Sequence, residues 1–228
     1  PHGLHVDPEG NIWVTDSGPF YAPGQTPGRG FQIFKFAPDG RLLLTLGRAG
    51  YDTPGPDTFR GPTDVVVNAR GEIFVSDGHT PRPGPAGGDR IVKLTKDGTF
   101  IKAWGIGTSA APGEVLGPHR LALDSQGRLF VADRGNRRIQ IFDQDGRFLA
   151  QWTHFGTPSG IWIDRGDTLY VAVAGERGGV RIADATTGRL KASIEGTSPE
   201  VAVVDPEGRV YAGLVGGQDL QQFVPAPR

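Results

Sequence analysis

The sequence predicts an all-β fold, a β-propeller of four-stranded antiparallel blades. Three observations predict it. One unit recurs five times along the 228 residues, each copy breaks into short apolar runs of strand length, and the turn residues of tight hairpins separate the runs. One four-stranded sheet leaves both faces open to water, whereas sheets stacked about an axis cover one another, so repeats of this kind are read as blades.

The unit opens on a proline, a variable residue and an apolar-rich run, then passes through an Asp-x-x-Gly-like turn into a second run. Its copies are PHGLHVDPEGNIWVTD from Pro1, PTDVVVNARGEIFVSD from Pro62, PHRLALDSQGRLFVAD from Pro118, PSGIWIDRGDTLYVAV from Pro158 and PEVAVVDPEGRVYAGL from Pro199. A third run follows each copy: FQIFKF, RIVKL, RRIQIF, GVRIA and DLQQFV. In the first four a fourth run comes next: RLLLTLG, FIKAWG, RFLAQW and RLKASI. Asp39-Gly40, Asp97-Gly98, Asp145-Gly146 and Glu207-Gly208 supply the turns, and no segment sustains a helical period. The fifth copy stops at Phe223-Val224 without a fourth run, while the chain opens on the first strand of a blade. Propellers close by letting one terminus complete the other terminus's blade, so five blades are expected from residues 1–228 and a sixth from an upstream segment. The whole chain is expected to be one domain, with repeats starting near residues 1, 62, 118, 158 and 199.

Composition removes several function classes. Lys and Arg number 24 against 25 Asp and Glu, a formal net charge of −1, so no global field draws in nucleic acid or an anionic membrane. Arg137, Arg138 and Arg147 form a small basic cluster, read as a solvated edge. No window approaches the length of a helical membrane span. Cysteine is absent, which excludes disulfides, thiolate metal sites and thiol nucleophiles, so any metal must use His, carboxylate or backbone oxygen. The chain begins at Pro1 and contains no Met, so an upstream segment is expected, a signal peptide being one candidate.

The repeat also places candidate chemistry. Equivalent positions of different blades fall on one circle about the propeller axis, and the residue after the repeat proline reads His2, Thr63, His119, Ser159 and Glu200. His2, His119 and Glu200 come from repeats one, three and five, alternate blades of a six-bladed ring and so about 120° apart. Two imidazoles and a carboxylate in that arrangement suit zinc, with a position left for water or substrate. His5 and His154 have no partner in the repeat register and are read as strand or surface residues. Asp16, Asp77 and Asp133 recur after the second run and are read as caps of the following turn. Beyond them lie Phe20 and Tyr21, then His79, then Arg134, expected to face the same mouth. Arg134 suits a bidentate grip on a carboxylate, Tyr21 a substrate contact, and His79 proton transfer near neutrality. The Pro/Gly-rich insertions Ser17–Gly30 and Gly78–Asp89 interrupt the first two repeats on the same side.

The segments PHGLHVDPEGNIWVTD, GPTDVVVNARGEIFVSDG and GPHRLALDSQGRLFVADRGNRRIQIFDQDG resemble NHL repeats, and within them the catalytic domain of peptidyl-α-hydroxyglycine α-amidating lyase. The resemblance is clear from Pro1 to about Trp152. It implies a six-bladed propeller with zinc at the channel mouth and a calcium within. It also implies cleavage of the carbon–nitrogen bond of a peptidyl-α-hydroxyglycine, giving a peptide amide and glyoxylate. His2 and His119 fall on two of the family's zinc histidines, Arg134 on an active-site arginine, and Leu4 where a backbone carbonyl binds calcium. Four positions depart from the pattern. Glu200 replaces the third histidine, Val201 an acidic calcium ligand, His79 the catalytic tyrosine and Ser198 a methionine.

The expected function is therefore a zinc-dependent lyase acting on a peptidyl or small carboxylate. The alternative is a non-catalytic propeller that binds a peptide or protein across its loop-bearing face. A calcium-dependent hydrolase of the lactonase type ranks below both, because such a site needs several carboxylate and Asn oxygens and this ring offers one carboxylate. The missing start, the lack of cysteine and the resemblance to exported enzymes point to an extracytoplasmic protein, secreted or periplasmic.

Overall fold

Five copies of one turn set the architecture. In each, the side chain of Asp7, Asn68, Asp124, Asp164 or Asp205 accepts hydrogen bonds from the backbone N–H groups two and four residues on, at 2.8 to 3.1 Å. The chain reverses there because the fourth residue adopts a left-handed conformation, supplied by Gly10, Gly71, Gly127 and Gly208 and, in the fourth repeat, by Asp167 at φ 54°. Short polar side chains tolerate that region where β-branched ones do not.

The computed structural model describes residues 1–18, 28–78, 88–107, 109–175, 177–214 and 216–225, and every regular element among them is a β-strand. The first sheet comprises β1 (Leu4–Val6), β2 (Ile12–Asp16), β3 (Gln32–Phe36) and β4 (Leu42–Leu46) in chain order. The second comprises β5 (Pro62–Val67), β6 (Ile73–Asp77), β7 (Arg90–Leu94) and β8 (Phe100–Trp104), and the third β9 (Pro118–Leu123), β10 (Leu129–Asp133), β11 (Arg138–Phe142) and β12 (Phe148–Trp152). The fourth comprises β13 (Pro158–Ile163), β14 (Thr168–Val173), β15 (Gly179–Asp184) and β16 (Leu190–Glu195). The fifth has three strands, β17 (Val201–Val204), β18 (Val210–Leu214) and β19 (Asp219–Phe223). All pairings with a defined register are antiparallel between consecutive strands, the meander of propeller blades expected from the repeat.

Burial follows strand order. β5, β6 and β7 are buried along their whole length, whereas β8 has no buried residue, and β11 and β12 show the same contrast. Runs apolar on both faces belong to strands covered on both sides, and alternating runs to blade edges.

The chain forms two compact units, Pro1–Leu121 and Ala122–Arg228. In the first, Trp13 and Ile33 pack with Val65, Ile73, Val75 and Val92 in one core. In the second, Phe130, Ile139 and Ile141 pack with Leu169, Val171 and Val173, and a further cluster joins Tyr170 and Val180 to Ala202 and Val210. Each of these clusters joins one sheet to the next, so burial between sheets, worth about 25 cal/mol per Å² of apolar surface, holds each stack together.

One reading of the sequence is corrected here. Arg137 and Arg147 are exposed, but Arg138 is 4% exposed, with Nε 2.7 Å from Asp133 Oδ2. The run of arginines suggested a solvated edge because the carboxylate that draws Arg138 inward faces it only across the β10–β11 hairpin.

Candidate functional site

The residue after the repeat proline sits where the β ladder breaks. In the second repeat the register runs Pro62↔Asp77 and then Asp64↔Ser76, and in the fourth Pro158↔Val173 and then Gly160↔Ala172. Thr63 and Ser159 are thus the extra residues of β-bulges. In the first repeat the N–H of His2 donates to Thr15 O at 2.7 Å while the N–H of Thr15 donates to Gly3 O, so two residues again oppose one. In the fifth the N–H of Glu200 donates to Gly213 O at 2.8 Å while Val201 pairs with Gly213. Proline has no N–H to give the ladder, and bulges are where sheets accommodate it. A bulge also turns one side chain out of the strand's alternation, which is how this position comes to present His2 and Glu200.

In the first unit the structure brings His2 and His119 together. Their ring centroids lie 4.7 Å apart with the planes at 78°. His119 is fully buried and His2 half-buried. His2 Nδ1 is 2.9 Å from Thr63 O, and because a carbonyl oxygen only accepts, Nδ1 carries the hydrogen and the lone pair of the neutral ring falls on Nε2. Thr63 is the hub: its carbonyl also accepts from Thr15 Oγ1 at 2.9 Å, and its own hydroxyl lies 2.8 Å from Pro118 O. Arg120 extends Nη1 to Asp64 Oδ1 at 3.0 Å and Nη2 to His2 O at 3.3 Å, and Asp64 Oδ2 accepts the N–H of Leu121 at 2.9 Å.

This pair fits zinc in the kind of its donors. Metal-binding histidines generally donate the other ring N–H to a carbonyl or carboxylate, and His2 does so to Thr63. Among the described residues, no three or more His, Asp or Glu side chains are gathered where they could hold a metal ion.

In the second unit Arg134 and Glu200 face each other, Nη1 to Oε1 at 3.5 Å, with side chains 31% and 24% exposed. Leu4, on β1, is 64% exposed. Tyr21 and His79, with Phe20, lie outside the described residues.

Of the recurrent acidic position, Asp16 caps its turn as expected, accepting the N–H of Gly18 at 3.2 Å. Asp77 and Asp133 are instead buried ion-pair partners. Asp77 accepts the N–H groups of Arg60 and Gly61 at 2.8 Å and Arg90 Nε at 2.9 Å, and burial still pushes its carboxyl up against those bonds. Asp133 accepts from Arg138, Gln140 and Asn136. His5 Nε2 accepts the N–H of Val67 at 3.3 Å, and burial, opposed by Asp64 and Asp7, holds its pKa down. His154 is exposed, its Nε2 2.9 Å from Gly188 O.

Reading by residue type missed the Asp64–Arg120 pair. Its signal was present: the second position after the repeat proline reads Gly3, Asp64, Arg120, Gly160 and Val201, with opposite charges in neighbouring repeats.

Two family models match, NHL repeat over residues 116–142 and Strictosidine synthase-like, N-terminal, over 186–218. The first segment holds His119 and Arg134, the second Glu200. NHL repeat-containing protein 3 of Mus musculus is 32% identical over 249 residues, an alignment spanning 99% of this chain and 67% of that protein. The chain belongs to the NHL-repeat family. This NHL-repeat chain is also 37% identical over 164 residues to peptidyl-alpha-hydroxyglycine alpha-amidating lyase 1 of Drosophila melanogaster, covering 67% of the chain and 27% of that protein. Among solved structures, virginiamycin B lyase from Staphylococcus aureus superposes with a TM-score of 0.62 at 16% identity, over 100% of this chain and 71% of the other. That likeness speaks for the β-propeller fold alone.

Proposed function

We propose that the chain is a zinc-dependent carbon–nitrogen lyase of the amidating-lyase kind, acting on a peptidyl-α-hydroxyglycine or a related small carboxylate. The observation that carries this reading is the His2–His119 pair, two imidazoles in contact with the tautomer of one set by a backbone carbonyl. Similarity to the Drosophila melanogaster lyase over 67% of the chain supports it. His2 and His119 would hold the metal. Zinc bound there supplies a Lewis acid for a substrate oxygen.

The chain's own residues do the rest. The Arg134 guanidinium is partly exposed and lies 3.5 Å from Glu200 Oε1, where a bidentate substrate carboxylate can compete for it. His79 is the proton carrier, since an ordinary imidazole titrates near neutrality and can take a hydroxyl proton.

Elemental mass spectrometry on protein purified without added metal tests the reading, with wild type beside His2→Ala and His119→Ala. About one zinc per wild-type chain, lost from both variants, is expected. Chelator-sensitive release of glyoxylate from a peptidyl-α-hydroxyglycine is expected with it. A well-folded wild type free of zinc, or full turnover after chelation, would overturn it.

Coverage favours a second reading, a non-catalytic propeller binding a peptide or protein through the face that carries the two insertions. The similarity to NHL repeat-containing protein 3 spans 99% of the chain, against 67% for the lyase. On that reading ligand binding survives His119→Ala and is lost when either insertion is shortened.

A further inference from the structure

We infer that Asp64 and Arg120 are positioning residues for the two histidines, an inference that rests on the metal reading above. Arg120 follows His119 directly and its guanidinium reaches across two segments, to Asp64 on β5 and to the backbone carbonyl of His2. Asp64 closes the loop by accepting the N–H of Leu121, so it holds the strand of His119 by both the side chain and the backbone that follow it. The His2 segment, β5 and the start of β9 are thereby locked at one point. Side-chain exposures of 13% for Arg120 and 5% for Asp64 leave little water to compete for these bonds.

The fold does not require this ion pair. The same junction in the second unit brings β13 against β17, and there the equivalent residues are Gly160 and Val201. A Cβ on Gly160 would stand 2.9 Å from Val201 Cα, so those strands meet by backbone contact without charge. The charges are placed only in the repeats that must hold His2 and His119 in register. Gly3 belongs to the same device, because a Cβ there would lie 2.7 Å from Asp64 Oδ1 and push the carboxylate from its place.

The test measures zinc affinity of the full chain by competition with a chelating dye, and thermal unfolding alongside, for wild type, Asp64→Asn and Arg120→Lys. Both variants keep size and much of the hydrogen bonding. Each is expected to fold and to bind zinc about 10- to 100-fold more weakly, the usual effect of losing a residue that orients a metal ligand. Glu72→Gln is the control: it breaks a half-buried pair with Lys93, 3.0 Å apart, at the other end of β5 and β6, and is expected to cost stability while leaving zinc affinity within about twofold. Folded Asp64→Asn and Arg120→Lys proteins with wild-type affinity would overturn the inference, as would an equal loss in Glu72→Gln. A zinc-free wild type would end the metal reading instead. The positioning role is then decided on the ¹⁵N signals of the His2 ring, expected to report the Nδ1–H tautomer in wild type and a mixture in Arg120→Lys. Identical ring signals in the two would overturn it.

Discussion

Gly3 has no room for a side chain. A Cβ built on it would sit 2.5 Å from Thr63 O, 2.7 Å from Asp64 Oδ1 and 3.0 Å from Asp64 Cα, and the first and last of these are backbone atoms that cannot swing aside. Its own N–H donates to Thr15 Oγ1 at 2.7 Å, which fixes it from the other side. Gly3→Ala should therefore force the His2 segment away from β5, at a cost of about 1–3 kcal/mol typical of overpacking a tight site. The carbonyl it would displace is the one that sets the His2 tautomer, so weakened zinc binding should accompany the loss of stability. Gly216 makes the comparison, since a Cβ there meets nothing within 4 Å. Gly216→Ala should leave stability within about 0.5 kcal/mol of wild type or raise it slightly, by restricting the unfolded chain. Urea unfolding of both variants checks this, and equal stability of the two would refute the argument.

At the scale of elements, the turns and strand ends carry the ion pairs. Lys35 lies 3.3 Å from Asp7 and over the Trp13 ring, Lys93 lies 3.0 Å from Glu72 and over Phe74, and Arg128 lies 2.6 Å from Asp124 and over Phe130. In each of the first three blades a cation thus covers an aromatic of the second strand and is tied to the turn. Glu72 shows the strongest consequence. Burial alone would push its carboxyl up, but hydrogen bonds from Asn68, Lys93 and Arg70 outweigh it and hold the pKa at about 2. An unfolded glutamate takes up its proton near 4.5, while the folded one stays charged until about 2. The contribution of Glu72 is therefore complete above pH 4.5 and is lost as pH falls toward 2. The stability difference between wild type and Glu72→Gln should shrink across that window in urea titrations. A difference independent of pH would show that the pair matters through packing alone.

The same elements explain what could be read from residues in order and what could not. Pro62, Pro118 and Pro158 open β5, β9 and β13, and the Asp-x-x-Gly-like turns fall between first and second strands as expected, because both signals are local and repeat five times. His2 and His119 emerged by register alone, since repeats turn a sequence position into a place in space. The bulge at that position stayed hidden: hydrophobic alternation tolerates one extra residue, and only the pairing partner shows it. Asp64, Arg120 and Arg138 stayed hidden because each meets its partner across strands. A charge read without its neighbour looks solvated.

On the scale of the whole molecule, His2 and His119 are separated by half the chain and meet only when the first unit is folded. An unfolded chain offers its five histidines singly, so zinc bound by this pair would select the folded state and raise its stability by mass action. Free zinc at 100 times the dissociation constant is worth about 2.7 kcal/mol, and in a chain of this size each kcal/mol moves the melting temperature by roughly 2–4 °C. Wild type should therefore melt about 5–10 °C higher in such zinc than in chelator. His119→Ala should show almost none of that shift, although it keeps four of the five histidines. The net charge of −1 leaves little general attraction for a cation, so an unspecific rise in both proteins is not expected. A shift of equal size in the variant would place the binding elsewhere on the surface and leave the two rings a packing contact. A shift confined to wild type would tie the metal to the one place where repeats one and three present their histidines to each other.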